Sequence, residues 1–287
     1  MLKYALVTLA IGLVQASPEF KEDAVGFLED IKLHTSRVTG GWPAYEGQFP
    51  FQVSIRMTSD VGNIISCGGS VLDNEWILTS AHCLANRISY IIRLGTIDIR
   101  RPLYMIEQSY RDAFFYPEFD ISNSNRVQQH DVALLKLSIR VAYGPTIQPV
   151  RLQNSQQKYI NYEGKTLSVI GFGYDDDSWN GGDDSDILLW THLRGLSNEE
   201  CLDFYTRVYD TTLCARYYNS TDQSACYGDS GGPLVISDED GKDTMVGIVH
   251  YGSWRGCTSP WPTAYVRPAF YHEWLTEITG INFDWSF

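Results

Sequence analysis

The chain has 287 residues, of which 44% are hydrophobic, enough to bury a large core as one two-lobed unit or as two modest domains. Its 22 basic and 35 acidic residues give a net charge of −13 at pH 7. This balance disfavours nucleic acid and anionic membrane surfaces as partners, whereas cationic ligands and peptides remain compatible with it.

Residues 1–16 have the layout of a secretory signal. Lys3 precedes an apolar run from Tyr4 to Val14, and Val14-Gln15-Ala16 stands before Ser17, so cleavage is expected after Ala16. The run is too short to cross a bilayer, and no later segment is long and apolar enough to do so. We therefore expect a secreted, extracellular protein with no membrane-spanning part.

Residues 17–37 are polar and acidic around a small apolar cluster, which suggests a short removable propeptide. The segment ends at Arg37, which is followed by Val38-Thr39-Gly40-Gly41. An arginine before a β-branched residue and two glycines is a plausible processing site, although an ordinary linker arginine fits the same letters. If Arg37 is cleaved, the mature protein begins at Val38 and spans residues 38–287.

After Val38 the pattern is that of an all-β protein, because short apolar runs alternate with Gly, Asn, Asp and Pro clusters. Such regularly interrupted strands are typical of barrels or a sandwich. The predicted strands are 51–55, 76–79, 90–94, 132–137, 166–171, 234–237, 245–250 and 263–266. One helix is predicted near the C-terminus, where Pro268 suits a first turn, apolar residues recur at helical spacing and Gly280 is a natural stop.

Six cysteines in an exported chain favour disulfides over thiol chemistry. No pair has the close Cys-x-x-Cys spacing of a structural zinc site, so no metal is expected. The count does not choose among the connectivities that six cysteines allow.

The segment Gly228-Asp229-Ser230-Gly231-Gly232-Pro233 is the strongest chemical signal in the chain. A serine hydroxyl is a poor nucleophile unless a base, a carboxylate that orients the base and N–H donors for an oxyanion accompany it. His82, where the strand 76–79 ends in small residues, is the candidate base. Asp131 heads the apolar run 132–137 and is the candidate carboxylate, since an acid there needs a partner. His130 is disfavoured as the base because adjacent strand residues point to opposite faces.

These motifs appear along the chain in the same order as in the secreted serine endopeptidases of the chymotrypsin and trypsin family. The chain resembles that family from Arg37 to Thr279. The resemblance implies two six-stranded antiparallel β-barrels, at about 38–145 and 146–287, with a C-terminal α-helix and an active site in the cleft between the barrels. It also implies the disulfides Cys67–Cys83, Cys201–Cys214 and Cys226–Cys257.

The family's catalytic roles carry over to matching positions. By resemblance, Ser230 attacks a peptide carbonyl, His82 accepts its proton and Asp131 orients the imidazole. The backbone N–H groups of Gly228 and Ser230 form the oxyanion hole. No cofactor is expected.

The resemblance also assigns Asp229 as the buried partner of the amino group freed at Val38, so the uncleaved chain is expected to be a zymogen. A trypsin-like protease that cuts after Arg37 is then a partner, together with protein or peptide substrates and protein inhibitors of proteases. Because no cysteine lies between Ser17 and Arg37, the propeptide is expected to leave after cleavage.

Three positions match the family's primary specificity pocket: Ser224, Gly252 and Thr263. Ser224 stands where trypsin-like members carry an Asp, so an Arg or Lys side chain would bury its charge unpaired. Gly252 leaves the pocket mouth open, and Thr263 replaces a usual Gly and narrows the interior. We expect cleavage after Leu, Phe, Tyr or Met.

Other positions depart from the family pattern. His250 and Tyr251 stand where Ser-Trp is usual, so His250 either replaces the serine that helps to orient the aspartate or disturbs it. Phe172 is a milder change from Trp. The acidic loop 174–186 borders the leaving-group side of the cleft by resemblance and is interpreted as solvated rather than calcium-binding. Asn219-Ser220-Thr221 is a glycosylation sequon.

The sequence thus predicts a digestive or similar extracellular endopeptidase. The alternative from another class is a catalytically silent homologue that acts as a binding protein. An esterase or lipase is disfavoured because its nucleophile, acid and base follow one another in a different order along the chain.

Overall fold

The computed structural model describes residues 41–174, 185–220, 223–253 and 256–285, together with the backbone of residues 25–27. Within these ranges the chain forms sixteen β-strands and three short α-helices. The predicted all-β class with one C-terminal helix is therefore confirmed. No helix in these ranges is long and apolar enough to span a membrane.

The first sheet contains seven strands, which are β3 (Gln52–Ser59), β4 (Ile64–Asp73), β5 (Trp76–Thr79), β6 (Arg87–Leu94), β7 (Tyr104–Ser109), β8 (Ala113–Phe115) and β9 (Ala133–Lys136). Their order in the sheet is β7-β6-β3-β4-β5-β9-β8. All pairings are antiparallel. The edge strand β7 alternates between exposed and buried side chains, whereas β5 is buried throughout. This difference is expected between a sheet edge and the packed interior of a curled sheet.

The second sheet contains nine strands. Its members are β1 (Val25–Phe27), β2 (Trp42–Pro43), β10 (Arg151–Leu152), β11 (Thr166–Gly171), β12 (Leu189–Leu196), β13 (Thr212–Tyr217), β14 (Pro233–Ser237), β15 (Asp243–Ser253) and β16 (Thr263–Val266). Six of them, β15-β14-β11-β12-β13-β16, form a ring because β16 also pairs with β15. The ring leaves no free edge among these six strands.

The structure therefore contains one closed six-stranded barrel and one curled sheet. The curled sheet differs from the six-stranded barrel implied by the resemblance, because it has seven strands and its outer strands β7 and β8 do not pair with each other within the described residues. A short 3-10 turn, Tyr110–Asp112, connects these two strands.

The C-terminal segment begins with a 3-10 turn, Pro268–Phe270, followed by the helix α3 (His272–Thr279). Gly280 ends the helix with φ 74°, a left-handed conformation that glycine adopts without steric cost. The side chains of Trp274 and Leu275 are buried in the core. Residues after the helix return to β10 of the second sheet, where the Trp285 indole donates to the Leu152 carbonyl.

Candidate active site

The three candidate catalytic residues lie next to strands of both sheets. His82 lies on the one-turn helix α1 (Ala81–Leu84), which follows β5, and Asp131 lies two residues before β9. Ser230 lies in the turn that precedes β14 of the barrel. The candidate site is therefore assembled where the curled sheet meets the barrel.

His82 and Asp131 are joined by two contacts. The backbone N–H of His82 donates to Asp131 Oδ1 at 2.7 Å, and His82 Nδ1 lies 2.5 Å from Asp131 Oδ2. When Nδ1–H donates to the carboxylate, Nε2 is the nitrogen left to accept a proton. Both side chains are buried, and Asp131 has no exposed surface.

The charge of Asp131 depends on opposing influences. Burial acts to raise the pKa of Asp131, but the neighbouring imidazoles of His82 and His250 and the hydrogen bonds from His82 outweigh it, so the pKa is lowered from its usual value. Asp131 is therefore a carboxylate at neutral pH. It can hold an imidazole in one orientation and stabilise that imidazole when it becomes charged.

Ser230 lies next to His82 but is not hydrogen-bonded through its side chain. The Cys83 sulfur is 3.7 Å from His82 Nε2 and 3.6 Å from the Ser230 carbonyl oxygen, which shows that the two residues are neighbours. Within the described residues, Ser230 Oγ has no hydrogen-bond partner. The serine–histidine hydrogen bond of a completed triad is thus not formed in this structure.

Close backbone contacts fix the turn that carries Ser230. The Gly68 N–H donates to the Ser230 carbonyl at 2.7 Å. A Cβ atom on Gly231 would lie 2.1 Å from Thr79 Oγ1 and 2.7 Å from the Gly68 carbonyl oxygen. Gly231 has φ 77° and Gly228 has φ 86°, values that favour glycine. Glycines therefore allow the serine turn to contact the strands that precede His82.

The six cysteines form the three disulfides that the resemblance implies: Cys67–Cys83, Cys201–Cys214 and Cys226–Cys257. Cys67–Cys83 ties β4 to the helix that carries His82. His82, Cys67 and Cys83 lie close enough together to suggest a metal site. Because both sulfurs belong to the disulfide, no thiolate is present to bind a metal there.

Asp229, the predicted partner of a free amino terminus, is fully buried. Its carboxylate accepts hydrogen bonds from the backbone N–H groups of Gly173 at 2.9 Å and Cys226 at 2.8 Å. Arg37 and Val38 lie outside the described residues, so their predicted roles remain predictions.

The residues assigned to the specificity pocket lie on neighbouring segments of the barrel. The Ser224 hydroxyl donates to the Ala225 carbonyl at 2.9 Å and lies 3.3 Å from Thr263 Oγ1. Thr263 begins β16, and Gly252 lies on the adjacent strand β15. Both are buried. Ser224 and Thr263 therefore place two hydroxyl groups side by side.

The two other histidines near Asp131 have different surroundings. His250 Nε2 lies 3.3 Å from Asp131 Oδ2. His130 instead stacks on Tyr116, with ring centroids 5.1 Å apart, and its Nδ1 lies 3.2 Å from the Tyr271 hydroxyl. His130 has φ 61°, which turns the chain just before Asp131. Its ring thus packs among aromatic side chains rather than against the carboxylate.

Of the remaining predicted positions, Asn219 is exposed and Phe172 is buried. Residues 175–184, most of the acidic loop, and Thr221 of the sequon lie outside the described residues. The sequence reasoning missed the strand β1. Its only sequence signal is the apolar run Val25-Gly26-Phe27-Leu28 within an acidic segment.

Residues 38–275 match the family model for trypsin. The chain is 31% identical over 264 residues to a collagenase of Hypoderma lineatum, covering 88% of this chain and 91% of that protein. It is 29% identical over 255 residues to serine protease 1 of Drosophila melanogaster, covering 88% and 89% of the two chains.

A solved structure of HL collagenase has the same fold. It aligns with a TM-score of 0.72 at 31% identity and covers 85% of this chain and 99% of the collagenase chain.

Proposed function

Because the chain belongs to the trypsin family of serine proteases, we propose that it is an active endopeptidase with Ser230 as its nucleophile. The observation that carries this proposal is the buried His82–Asp131 pair, whose imidazole lies beside Ser230 across the junction of the two sheets. A buried carboxylate on one imidazole nitrogen leaves the other nitrogen as a general base.

In the proposed reaction, His82 Nε2 accepts the proton of Ser230 as Oγ attacks the carbonyl carbon of a peptide bond. The carbonyl oxygen becomes an oxyanion, which the N–H groups of Gly228 and Ser230 stabilise. When the C–N bond breaks, His82 returns the proton to the leaving amine. Water then hydrolyses the acyl-enzyme by the same sequence, while Asp131 remains ionised throughout.

The proposed specificity is for large or medium apolar residues before the cleaved bond, a chymotrypsin- or elastase-like preference. Ser224 and Thr263 supply hydroxyl groups that lie 3.3 Å apart, and neither side chain carries a charge. An Arg or Lys side chain would lose its hydration there without gaining a carboxylate at either position. The side chains of Leu, Phe, Tyr and Met lose little favourable hydration when they enter such a site.

We also propose that the protein is exported, with residues 1–16 as its signal, and that residues 17–37 are an activation propeptide. Cleavage after Arg37 by a trypsin-like protease frees the amino group of Val38, which pairs with Asp229. The buried Asp229 carboxylate, held by two backbone N–H groups, supports this proposal because a buried charge is stabilised by a cationic partner.

A second candidate function is a silent homologue that binds proteins without cleaving them. The observation that favours it is the Ser230 hydroxyl, which has no hydrogen-bond partner within the described residues. Hydrogen bonds between catalytic groups are often long or unaligned before substrate binds, so the same observation is compatible with an active enzyme.

Labelling with a serine-directed phosphonate distinguishes the two candidates. The full chain is treated with trypsin, exposed to the phosphonate and analysed by intact mass. An active enzyme gains the label, and the Ser230→Ala variant does not. An unlabelled activated wild type that hydrolyses no peptide library would support the silent homologue.

The proposed specificity and activation have their own tests. Cleavage of a peptide library after Arg or Lys would contradict the apolar preference. An Arg37→Gln proform that reaches full activity with trypsin would contradict the proposed activation site.

A further inference from the structure

The catalytic carboxylate contacts two imidazoles rather than one. Asp131 Oδ2 lies 2.5 Å from His82 Nδ1 and 3.3 Å from His250 Nε2. The rings of His82 and His250 stack with centroids 6.5 Å apart and planes inclined by 27°. All three side chains are buried, and His250 retains only 4% of its exposure. A single carboxylate oxygen thus contacts two buried imidazole rings.

A carboxylate with no exposed surface is stable only when its charge is compensated by partners. His82 alone cannot meet this need throughout the reaction, because its imidazole changes charge. A second buried imidazole at ion-pair distance is a further partner for the same oxygen. It fills the place of the serine hydroxyl that the family usually has at this position.

We propose that His250 is a positioning residue of the triad, which stabilises the ionised Asp131 and fixes Oδ2 for its bond to His82. The proposal rests on the proposed protease function. His250 does not touch the substrate in this role. It acts through Asp131, so its loss affects the rate of the chemical step more than the binding of substrate.

Few titratable or charged groups among the described residues lie close enough to His250 to influence its protonation. Next to Asp131 and His82, its ring packs edge-on against Tyr251 at 4.7 Å. A cavity of about 120 Å³ also borders His250, and its titratable or charged lining groups are His130, Tyr205, Arg207, Tyr209 and Tyr251. The described neighbours that carry a full charge at neutral pH are therefore the Asp131 carboxylate and the Arg207 guanidinium.

The test compares His250→Ala with His250→Ser, which restores a neutral hydroxyl donor of the usual family type. In trypsin-activated protein, we expect kcat of His250→Ala to fall about 10- to 100-fold, the range for removing one polar partner of a buried charge, with KM changed little. His250→Ser should recover most of this loss.

The dependence of kcat/KM on pH distinguishes a positioning role of His250 from a merely structural one, because a structural role would leave this profile unchanged. With one partner of Asp131 removed, more of its negative charge acts on His82, and the imidazolium holds its proton more tightly. The acidic limb of kcat/KM should therefore move to higher pH in His250→Ala and return toward the wild-type position in His250→Ser. Near-UV circular dichroism and thermal unfolding of each variant verify that it is folded.

Two failures are distinguishable. If activated wild type cleaves peptides but folded His250→Ala keeps both its kcat and its acidic limb, the positioning role is wrong while the protease function stands. If activated wild type neither cleaves peptides nor takes up the phosphonate, the proposed function itself fails.

An independent observation concerns the propeptide. The strand β1 pairs antiparallel with the end of β15, with Val25 opposite Ser253, Gly26 opposite Gly252 and Phe27 opposite Tyr251. Gly252 is assigned to the mouth of the specificity pocket, and this part of β15 resembles the strand on which substrates pair. The backbone of residues 25–27 therefore lies on the edge that an incoming substrate would use.

We infer that the propeptide of this chain is also a strand-type inhibitor, which occupies the substrate edge of β15 until it leaves. This inhibition is separate from the pairing of Asp229 with a new amino terminus. No cysteine lies in residues 17–37, and the six cysteines pair among themselves, so only non-covalent contacts retain the segment after cleavage at Arg37.

The experiment adds a synthetic peptide of residues 17–37 to activated enzyme that hydrolyses a small chromogenic substrate. We expect competitive inhibition. Peptides N-methylated at Val25, Gly26 or Phe27 serve as matched probes, because adjacent residues of an antiparallel strand alternate in hydrogen bonding to the partner strand. The peptide methylated at residue 26 and the peptides methylated at residues 25 and 27 should therefore behave oppositely. Where the methyl group removes a hydrogen bond to β15, the affinity should fall about tenfold or more, and where it does not, the affinity should change little.

Equal effects of all three N-methyl groups, or a peptide that does not inhibit, would overturn this inference. The uninhibited rate of the activated enzyme, measured in the same plate, separates such a result from a failure of the protease function.

Discussion

Replacing Gly231 by Ala tests whether the contact between the serine turn and the His82-bearing segment is as tight as the structure shows. A Cβ at this position would lie 2.1 Å from Thr79 Oγ1, 2.7 Å from the Gly68 carbonyl oxygen and 2.9 Å from the Ser80 nitrogen. Two of these three atoms belong to the backbone, so rotation of a side chain cannot relieve the overlap. Either Ser230 or the segment before His82 has to move.

The expected loss of stability in Gly231→Ala has two parts. Gly231 has φ 77°, a conformation that costs a residue with a Cβ about 1–2 kcal/mol. Overpacking a tightly packed site adds about 1–3 kcal/mol. Gly241 provides a matched control, because its φ is also 77° but a Cβ added there would meet no atom within 4 Å. Gly241→Ala should therefore show the conformational cost alone.

The assay is urea unfolding of both variants, followed by peptide hydrolysis after trypsin activation. We expect Gly231→Ala to lose about 1–3 kcal/mol more in free energy of unfolding than Gly241→Ala. Its kcat should also fall, whereas Gly241→Ala should keep wild-type activity. Equal stability of the two variants would refute the tight contact between the two segments.

Three further predictions concern the site and its surroundings. Asp131→Asn should keep the fold but lower kcat by about 10⁴-fold, since an amide no longer selects the imidazole tautomer that leaves Nε2 unprotonated; a loss below tenfold would contradict that role. Ser224→Asp should raise the ratio of kcat/KM for Arg or Lys substrates over Leu substrates, because the new carboxylate pairs with a buried cation, and an unchanged ratio in a folded variant would remove Ser224 from the pocket. Burial lowers the pKa of His272 despite the nearby Asp284, so the unfolded chain binds the proton more tightly and stability should fall as pH drops below about 6.5. His272→Gln can still donate to the Gln153 carbonyl and should show a smaller loss of unfolding free energy between pH 7 and 5.

Part of the fold could be predicted, because short apolar runs bounded by turn residues indicate strands locally. The strands 76–79, 166–171 and 263–266 have the predicted limits. The helix α3 begins later than expected, since Pro268 starts a 3-10 turn rather than the helix itself. Barrel closure could not be predicted from local patterns, because pairing of β16 with both β13 and β15 depends on distant segments.

In the candidate site, too, residues in local motifs could be predicted, whereas contacts between distant segments could not. Ser230 and His82 stand in recognisable local motifs, and Asp131 is conspicuous as an acid at the head of an apolar strand. The geometry of His250 was not predictable, because the sequence alone left open whether this residue supports or disturbs Asp131. The pairing of Gly26 with Gly252 was missed because three residues of an acidic segment carry too little signal to identify a strand.

The division of the site between two sheets also has a consequence for the newly made chain. The His82–Asp131 pair can form within the curled sheet, but the nucleophile reaches it only when the barrel docks and Gly68 binds the Ser230 carbonyl at 2.7 Å. A partly folded molecule would therefore hold the proposed base without the proposed nucleophile, or the proposed nucleophile without the proposed base. For the proposed protease, incomplete folding would therefore prevent proteolysis before the chain has reached its final structure.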